Sequence, residues 1–171
     1  MGKVFWLTGL PGSGKTTIVR KVELNFLEEG ADQVIVLDGD KLRKSISSDL
    51  GFSKEDRTAH NQRIIRLCEF LVGEGFIVLV ALVSPIRSVR DQARETLGEN
   101  FAEIWVDCPI QECIKRDPKG MYKKAITGEI PMFTGISAPY EEPLNPELVI
   151  RTNEESVEQS AQKIIDLIYK M

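Results

Sequence analysis

The chain has 171 residues, of which 42% are hydrophobic and 28% charged, so residues 1–171 are expected to form a single globular domain with a sizeable core. The net charge of −4 gives no general case for binding nucleic acid or a membrane surface. No apolar run approaches membrane-spanning length, and the N-terminal MGKVFWLTG enters a strand directly, which leaves no room for a signal peptide. The cysteines are interpreted as free thiols, so a cytoplasmic protein is expected: Cys68, Cys108 and Cys113.

Short apolar runs alternate with amphipathic segments along the chain. Strands are predicted at 3–9, 33–39, 76–82, 101–107 and 147–152. Helices are predicted at 15–29, 54–73, 86–97, 109–117 and 154–170. Ser53 is predicted to cap the second helix, and Ser84 to cap the third, with Pro85 in its first turn. The pattern predicts an α/β fold, a three-layer doubly wound domain with a mainly parallel sheet of five strands, and ligands at the carboxyl ends of those strands.

The sequence GLPGSGKT at 9–16 matches the phosphate-binding motif G-x-x-x-x-G-K-[ST] and lies between a predicted strand and a predicted helix, as the motif requires. Backbone N–H groups of such a loop point at phosphate oxygens, and the helix N-terminus adds positive potential. Lys15 is expected to reach the β- and γ-phosphates, and Thr16 to ligate Mg²⁺. The residues expected to bind the nucleotide are Gly9, Leu10, Pro11, Gly12, Ser13, Gly14, Lys15, Thr16 and Thr17.

The motifs favour ATP over GTP. A guanine-reading N-K-x-D motif is missing from the sequence, and DPKG at 117–120 follows a predicted helix, whereas the similar motif of GTPase switches follows a strand. A small domain of this order with a long late loop favours a small-molecule kinase. A non-catalytic nucleotide-binding switch is an alternative to a kinase. The long segment 117–146, interpreted below as a complete lid, counts against this alternative.

The segment 117–146 is too punctuated for a long helix or strand, because it holds Pro118, Pro131, Pro139, Pro143 and Pro146. A compact domain rarely carries so long an irregular segment unless it is functional or disordered. We interpret it as a lid that keeps water from the transferred phosphoryl group. Within it, DPKGMYKKAITGE is predicted to form a short helical turn that ends at Gly128.

The acceptor side is predicted around LDGDKLR at 37–43, after the second strand. Asp40 could take a proton from an acceptor hydroxyl, hold Mg²⁺ through water, or cap the short segment that follows. Arg43 is expected to face an anionic substrate from the same turn. Phe52 is either a hydrophobic staple or an exposed stacking platform, and Arg57 and Arg63 lie near the same rim.

Six motifs occur in order along most of the chain: GLPGSGKTT, LDGDKLR, DLGFSKEDR, VSPIR, CPIQECIKRDPKGMYKKA and GEIPMFTGISAPYEEP. Together they resemble the adenylyl-sulfate kinase family, which uses ATP and Mg²⁺ to phosphorylate the 3′-hydroxyl of adenylyl sulfate. The FTGI…PYE.P and DLGFS..DR patterns are far more specific than the phosphate-binding loop. The resemblance also allows a homodimer, since the family often forms dimers.

The resemblance implies roles for single residues. Asp40 would match the acidic residue near the 3′-hydroxyl, and Arg43 and Arg57 the arginines that bind the sulfate and phosphate groups. Phe52 and Phe133 would match the aromatic pair that encloses the substrate adenine.

The resemblance extends to the lid and to the end of the third strand. Lys119, or alternatively Lys123, would supply positive charge, and Arg116 would lie on the ATP side. Val83 and Ser84 would line the substrate. In some bacterial members of the family the serine that matches Ser84 can carry a phosphoryl group. For Ser84 itself, a helix cap that also contacts ligand is the preferred interpretation, since in-line transfer needs no serine intermediate.

The chain departs from the family where DR..NIRR is common, because it reads DRTAHNQR. His60 takes the asparagine position and is either a packed residue or a ligand contact, and Asn61 beside it is a candidate contact. Gln62 replaces an arginine. This loss leaves open a related kinase that acts on another small anionic or nucleotide-linked substrate.

Overall fold

The computed structural model describes residues 2–171 and contains a single five-stranded sheet. The strands are β1 (Lys3–Thr8), β2 (Val34–Asp38), β3 (Ile77–Ala81), β4 (Phe101–Asp107) and β5 (Leu148–Arg151). Their order is β2-β3-β1-β4-β5, and every neighbouring pair is parallel. The predicted doubly wound α/β fold is confirmed.

Seven helices connect and flank the strands in the described chain: α1 (Lys15–Glu28), α2 (Gly39–Lys44), α3 (Lys54–Gly73), α4 (Arg87–Leu97), α5 (Ile110–Arg116), α6 (Met121–Ile126) and α7 (Val157–Lys170). The predicted cap at Ser53 is confirmed, since its hydroxyl accepts the N–H of Asp56 at 3.0 Å. The last helix begins three residues later than predicted because Ser156 and Gln159 form a capping box there.

The sheet is buried on both faces, as the apolar strand sequences predict. Phe5 and Leu7 of β1 pack with α1 and α7 on one face, and Val4 and Trp6 pack with α3 and α4 on the other. Alternate residues of one strand therefore serve two cores, which requires the near-continuous apolar run.

The strand ends that carry the predicted site lie at one edge of the sheet. Asp38 of β2 pairs with Ala81 of β3, Leu7 of β1 pairs with the same Ala81, and Thr8 pairs with Trp105 of β4. The phosphate-binding loop, the turn after β2 and the turn after β3 therefore leave the sheet side by side.

A third hydrophobic cluster lies outside the two sheet cores. It joins the turn after β4 and α5 to the segment 117–146, and its buried members are Cys108, Cys113, Tyr122, Ala125 and Phe133. The predicted helical turn is present as α6, and Gly128 follows it with φ +82°. All three cysteines are free and buried, as predicted. Among residues 2–171, no helix is both long and apolar enough to cross a bilayer.

Candidate active site

The phosphate-binding loop connects β1 to α1 with glycine where other residues would not fit. Gly14 has φ +105° and precedes the first residue of α1, so its backbone adopts a conformation that side chains disfavour. A Cβ on Gly9 would lie 2.4 Å from the carbonyl oxygen of Val106 in β4. The loop is thus held tightly against the neighbouring strand, with the start of α1 at its end, as an anion-binding loop requires.

Lys15 is buried at the start of α1. Its Nζ donates hydrogen bonds to the carbonyl oxygens of Gly9 and Leu10, both at 2.8 Å, and lies 3.3 Å from Oγ of Ser13. Burial lowers the pKa of Lys15 to about 8, an effect partly offset by nearby acidic groups that include Asp40. The ammonium group is therefore poorly solvated and readily attracted to phosphate oxygens.

Asp38, at the end of β2, is a functional candidate that the sequence reasoning missed. Its Oδ2 accepts a hydrogen bond from Oγ1 of Thr16 at 2.9 Å, and its Oδ1 accepts the N–H of Asp40 at 3.0 Å. Asp38, rather than Asp40, therefore caps α2, so the capping interpretation of Asp40 is wrong. An acidic residue that ends a buried strand beside a phosphate-binding loop was the available signal.

The Thr16 hydroxyl and the Asp38 carboxylate are oxygen donors suited to Mg²⁺. No group of three or more His, Cys, Asp or Glu residues placed to hold a metal occurs in the part of the chain that the structure describes. The pair of oxygen donors from Thr16 and Asp38 is nevertheless enough for Mg²⁺. This ion usually keeps several waters and binds through one or two protein groups together with substrate phosphates.

Asp40 lies in the first turn of α2, where its side chain is exposed and pairs with Nζ of Lys119 from the lid segment. The acidic candidate of the acceptor side and the basic candidate of the lid are therefore in direct contact. Both influence the charge environment of Lys15. Asp40, Lys119 and Lys15 thus belong to one electrostatic cluster.

Ser84 does not cap α4, so that prediction is wrong. The helix begins at Arg87 without a side-chain cap, and Ser84 itself has φ +43°. Its Oγ instead donates to Oδ1 of Asn61 at 2.9 Å, while Nδ2 of Asn61 donates to the carbonyl oxygen of Arg57 at 2.7 Å. The turn after β3 is thereby joined to α3.

Arg57 bridges α3 and the lid segment. Its Nε donates to the carbonyl oxygen of Phe52 at 2.9 Å, its Nη1 donates to Oγ1 of Thr134 at 2.6 Å, and its Nη2 donates to the carbonyl oxygen of Met132. The backbone carbonyl of Phe52 and the two residues that flank Phe133, Met132 through its carbonyl and Thr134 through its hydroxyl, therefore meet at a single guanidinium group.

Phe52 is 61% exposed, so its interpretation as a hydrophobic staple is wrong. The guanidinium carbon of Arg43 lies 4.7 Å from the centre of the Phe52 ring, and Nη1 of Arg43 donates to the carbonyl oxygen of Gly51 at 2.7 Å. Arg43 thus orients an open aromatic platform. Phe133 differs in its environment, because it is only 8% exposed and packs edge-on against Tyr122.

His60 is buried on α3, and its Nδ1 has no hydrogen-bond partner within the described residues. Burial, and then the charges of Arg43 and Arg63, lower its pKa to about 4. Gln62 points elsewhere, since its Nε2 lies 3.4 Å from Oε1 of Gln92 on α4. The replacement of the family's arginine by Gln62 therefore lies at the surface between α3 and α4. His60 is the position, among those that differ from the family pattern, that lies close to Arg43.

The buried His60 predicts an acid sensitivity of the fold. Between pH 6.5 and about 4 the unfolded chain binds a proton that the folded chain does not, so folded stability falls as the pH falls through that window. We expect His60→Asn to make this fall shallower than in the parent protein. Urea unfolding of both proteins at about pH 7 and about pH 5 measures the difference. Equal pH dependence in the two proteins would contradict the prediction.

Arg116, the ATP-side candidate, lies beside the phosphate-binding loop. Its Nη1 and Nη2 donate to Oγ1 and the carbonyl oxygen of Thr152 at 3.1 and 2.7 Å, and Oγ1 of Thr152 donates to the carbonyl oxygen of Ser13 at 2.8 Å. Thr152, just beyond β5, therefore connects α5 to the loop. The sequence reasoning missed it because threonine after a strand carries no motif.

Arg90 of α4 is a third residue, after Asp38 and Thr152, that the sequence reasoning missed. It is 1% exposed and donates at 2.6 Å each to Oε1 of Glu103, to the carbonyl oxygen of Ser84 and to that of Glu141. Val83 accepts a hydrogen bond on its carbonyl oxygen from Oγ1 of Thr8 at 2.8 Å. The turn after β3 is thus anchored to β1, to α4 and to the return of the lid segment.

Comparison with known proteins identifies the family. The family model described as adenylylsulphate kinase matches residues 1–151. The chain belongs to the adenylylsulphate kinase family. The family match includes the phosphate-binding loop, the turn after β2 and the segment 117–146.

Curated adenylylsulphate kinase relatives match nearly the whole chain. A probable adenylyl-sulfate kinase of Halalkalibacterium halodurans is 49% identical over 97% of this chain and 80% of its own length. An adenylyl-sulfate kinase of Clostridium kluyveri is 45% identical over 98% of this chain and 83% of its own length. The resemblance drawn from the six sequence motifs is therefore confirmed.

A solved structure of the family has the same fold. The Mycobacterium tuberculosis APS kinase, solved in complex with AMPPNP and APS, superposes with a TM-score of 0.94 at 43% identity, covering 98% of both chains. The adenylylsulphate kinase fold is thus shared over the full chain.

Proposed function

We propose that this protein is an ATP-dependent kinase that transfers the γ-phosphoryl group to the 3′-hydroxyl of adenylyl sulfate, giving 3′-phosphoadenylyl sulfate and ADP. The observation that carries the proposal is the position of Arg57, whose guanidinium joins the backbone carbonyl of Phe52 to the residues on either side of Phe133. The segments that carry the two aromatic residues assigned to adenine by the family resemblance are therefore held together by one arginine. Family membership supports the same acceptor.

The phosphate-binding loop would hold the triphosphate. Its backbone N–H groups and the start of α1 favour anions, and Lys15 would exchange its bonds to the carbonyl oxygens of Gly9 and Leu10 for phosphate oxygens. The loop residues proposed to contact the triphosphate are Gly9, Leu10, Pro11, Gly12, Ser13, Gly14, Lys15, Thr16 and Thr17, with Arg116 beside them through Thr152.

Thr16 and Asp38 would hold Mg²⁺, with Asp40 close enough in sequence and space to act through water. When bound, Mg²⁺ neutralises charge on the β- and γ-phosphate oxygens. The protein itself fixes the hydroxyl of Thr16 at 2.9 Å from the carboxylate of Asp38.

Asp40 would accept the proton of the acceptor hydroxyl. Its carboxylate is exposed toward the site and contacts only one cation of the lid, Lys119, so a substrate hydroxyl can reach it. Lys119 would then be free to pair with the anionic groups of the nucleotide or of the acceptor. This exchange of partners gives the lid lysine a role once substrate is bound.

The acceptor would lie between α2, α3 and the lid. Arg43 and Arg57 supply positive charge for the sulfate and phosphate groups, and burial lowers the pKa of both guanidinium groups without removing their charge at neutral pH.

Asn61, Val83 and Ser84 would line the acceptor site. The Ser84 hydroxyl donates its hydrogen bond to Asn61, which supports a positioning role over a phosphorylated intermediate. His60 would close the buried side of the acceptor wall.

The acceptor is tested by a coupled ADP-release assay with adenylyl sulfate, CMP, gluconate and shikimate as candidates. We expect stimulation over the buffer-only rate by adenylyl sulfate alone. Stimulation by another acceptor would replace the proposed substrate, and no stimulation by any of them would favour the nucleotide-binding switch. Gln62, which replaces an arginine common in the family, lies against Gln92 on the outer surface. This replacement therefore gives no reason to prefer a different acceptor over adenylyl sulfate.

Phe52 provides a sharper test of adenine recognition. Stacking on an aromatic side chain is worth about 1–3 kcal/mol per base, so Phe52→Ala is expected to raise the KM for adenylyl sulfate about tenfold or more. Phe70→Ala is the matched control, because Phe70 is equally exposed on α3 but lies near its C-terminal end. Steady-state kinetics at saturating ATP measures both variants. An unchanged KM in Phe52→Ala would remove Phe52 from the adenine site.

The setting of the reaction is also part of the proposal. The three free, buried cysteines support a reducing compartment such as the cytoplasm. A homodimer stays a prediction, and light scattering of the purified protein tests it.

A further inference from the structure

Tyr122 of α6 lies where the lid segment meets the phosphate-binding loop. It is 1% exposed, and its hydroxyl donates to the carbonyl oxygen of Pro11 at 2.7 Å. Its ring packs edge-on against Phe133, with ring centres 5.0 Å apart and an interplanar angle of 77°. One side chain therefore contacts both the phosphate-binding loop and the proposed adenine platform.

The backbone of Tyr122 is held within its own segment by Asp117. The carboxylate of Asp117 accepts the N–H of Tyr122 at 3.0 Å and that of Lys123 at 3.1 Å, which satisfies two free donors at the start of α6. A Cβ on Gly12 would lie 3.7 Å from Cε2 of Tyr122, so the ring also packs against the loop itself. Tyr122 is thus held at its backbone, its ring and its hydroxyl.

The lid makes a second contact with the loop just after Phe133. A Cβ on Gly135 would lie 3.1 Å from Cδ2 of Leu10 and 3.2 Å from Cδ1 of Ile110. The backbone carbonyl of Phe133 accepts the N–H groups of Ser137 and Ala138, both at 3.0 Å. The turn that carries Phe133 is therefore compact and rests directly on the phosphate-binding loop.

We propose that Tyr122 is a positioning residue that fixes where Phe133 lies relative to the phosphate-binding loop. It thereby fixes where the acceptor base lies relative to the bound triphosphate. This inference rests on the proposed function, since Phe133 is the proposed platform for the acceptor adenine. Burial raises the pKa of the Tyr122 hydroxyl still further above neutral pH, so it remains a donor to Pro11.

Tyr122→Phe tests the hydroxyl and keeps the ring that packs on Phe133. Without the bond to Pro11, we expect α6 to move relative to the loop and Phe133 to lose its fixed position. The KM for adenylyl sulfate should rise about fivefold, while kcat stays within about twofold. A merely structural role would lower the active fraction, and so kcat, without changing KM.

Tyr169→Phe is the matched control, because its hydroxyl donates to Glu29 on the exposed surface far from the site in sequence and fold. It should leave both kinetic constants unchanged. In a Phe133→Leu background, Tyr122→Phe should raise KM no further, since residues that act through each other are not additive.

Hydrogen exchange gives a readout that needs no acceptor. The amides of Ser137 and Ala138, which close the Phe133 turn, should exchange faster in Tyr122→Phe than in the parent protein, while amides of β1 keep their protection. Unchanged exchange at the turn, an unchanged KM, or a loss confined to kcat would overturn the inference. If adenylyl sulfate fails to stimulate the parent protein, the proposed function falls, and the exchange measurement alone decides the role of Tyr122.

Discussion

Asp40→Ala is expected to lower kcat by about 10²–10⁴-fold while leaving ATP binding intact. Asp40 is the exposed carboxylate of the acceptor side, whereas the triphosphate would be held by the phosphate-binding loop and by the Thr16–Asp38 pair. Removal of Asp40 takes away the proposed proton acceptor without touching those groups. Single-turnover rates and calorimetric titration with ATP measure the two effects separately.

A matched control separates loss of the carboxylate from loss of charge in general. Asp166→Ala removes an exposed carboxylate of α7 that accepts a hydrogen bond only from Gln162, and it should leave kcat unchanged. The Asp40–Lys119 pair is exposed, so its loss should change the free energy of unfolding by about 1 kcal/mol or less. If Asp40→Ala keeps near-normal kcat, Asp40 is not the catalytic group.

Arg90→Met is expected to destabilise the fold by about 3 kcal/mol or more. Both Arg90 and Glu103 are buried, and removal of one member of a buried ion pair leaves the other charge poorly compensated. The variant also takes away the donors to the carbonyl oxygens of Ser84 and Glu141. The urea midpoint at constant slope measures the loss.

Arg66→Met is the comparison, because Arg66 forms an exposed pair with Glu69 one turn along α3. Pairs of that kind contribute about 0–1 kcal/mol, so this variant should unfold close to the parent midpoint. A loss below about 1 kcal/mol in Arg90→Met would mean that Arg94, 3.6 Å from Glu103, compensates the carboxylate alone.

Much of the fold was predictable because its signals are local. A strand buried on both faces needs an unbroken apolar run, and all five strands lie within their predicted ranges. The phosphate-binding loop is equally local, since eight consecutive residues contain its glycines, its lysine and its threonine. Ser53 could be predicted as a cap because its partner, Asp56, lies three residues away.

Features that depend on distant partners could not be predicted in this way. Arg90 reads as an ordinary charged residue of an amphipathic helix, and only the fold places Glu103 and Glu141 around it. Ser84 before Pro85 reads as a helix cap, but its bonds with Asn61 and Arg90 set another conformation. Local sequence carries no record of such contacts.

The two aromatic candidates show the same limit. Phe52 and Phe133 both lie in irregular stretches beside polar residues, so local sequence does not distinguish an exposed ring from a packed one. Phe52 is exposed because it precedes α3 on the rim, and Phe133 is buried because α5 and α6 close around it.

The cluster that contains Cys108, Cys113, Tyr122, Ala125 and Phe133 is separate from both cores of the sheet. Local unfolding follows such boundaries, so this unit can open while the sheet stays intact. Substitutions in the cluster should therefore change the free energy of local opening of this unit more than that of the sheet cores.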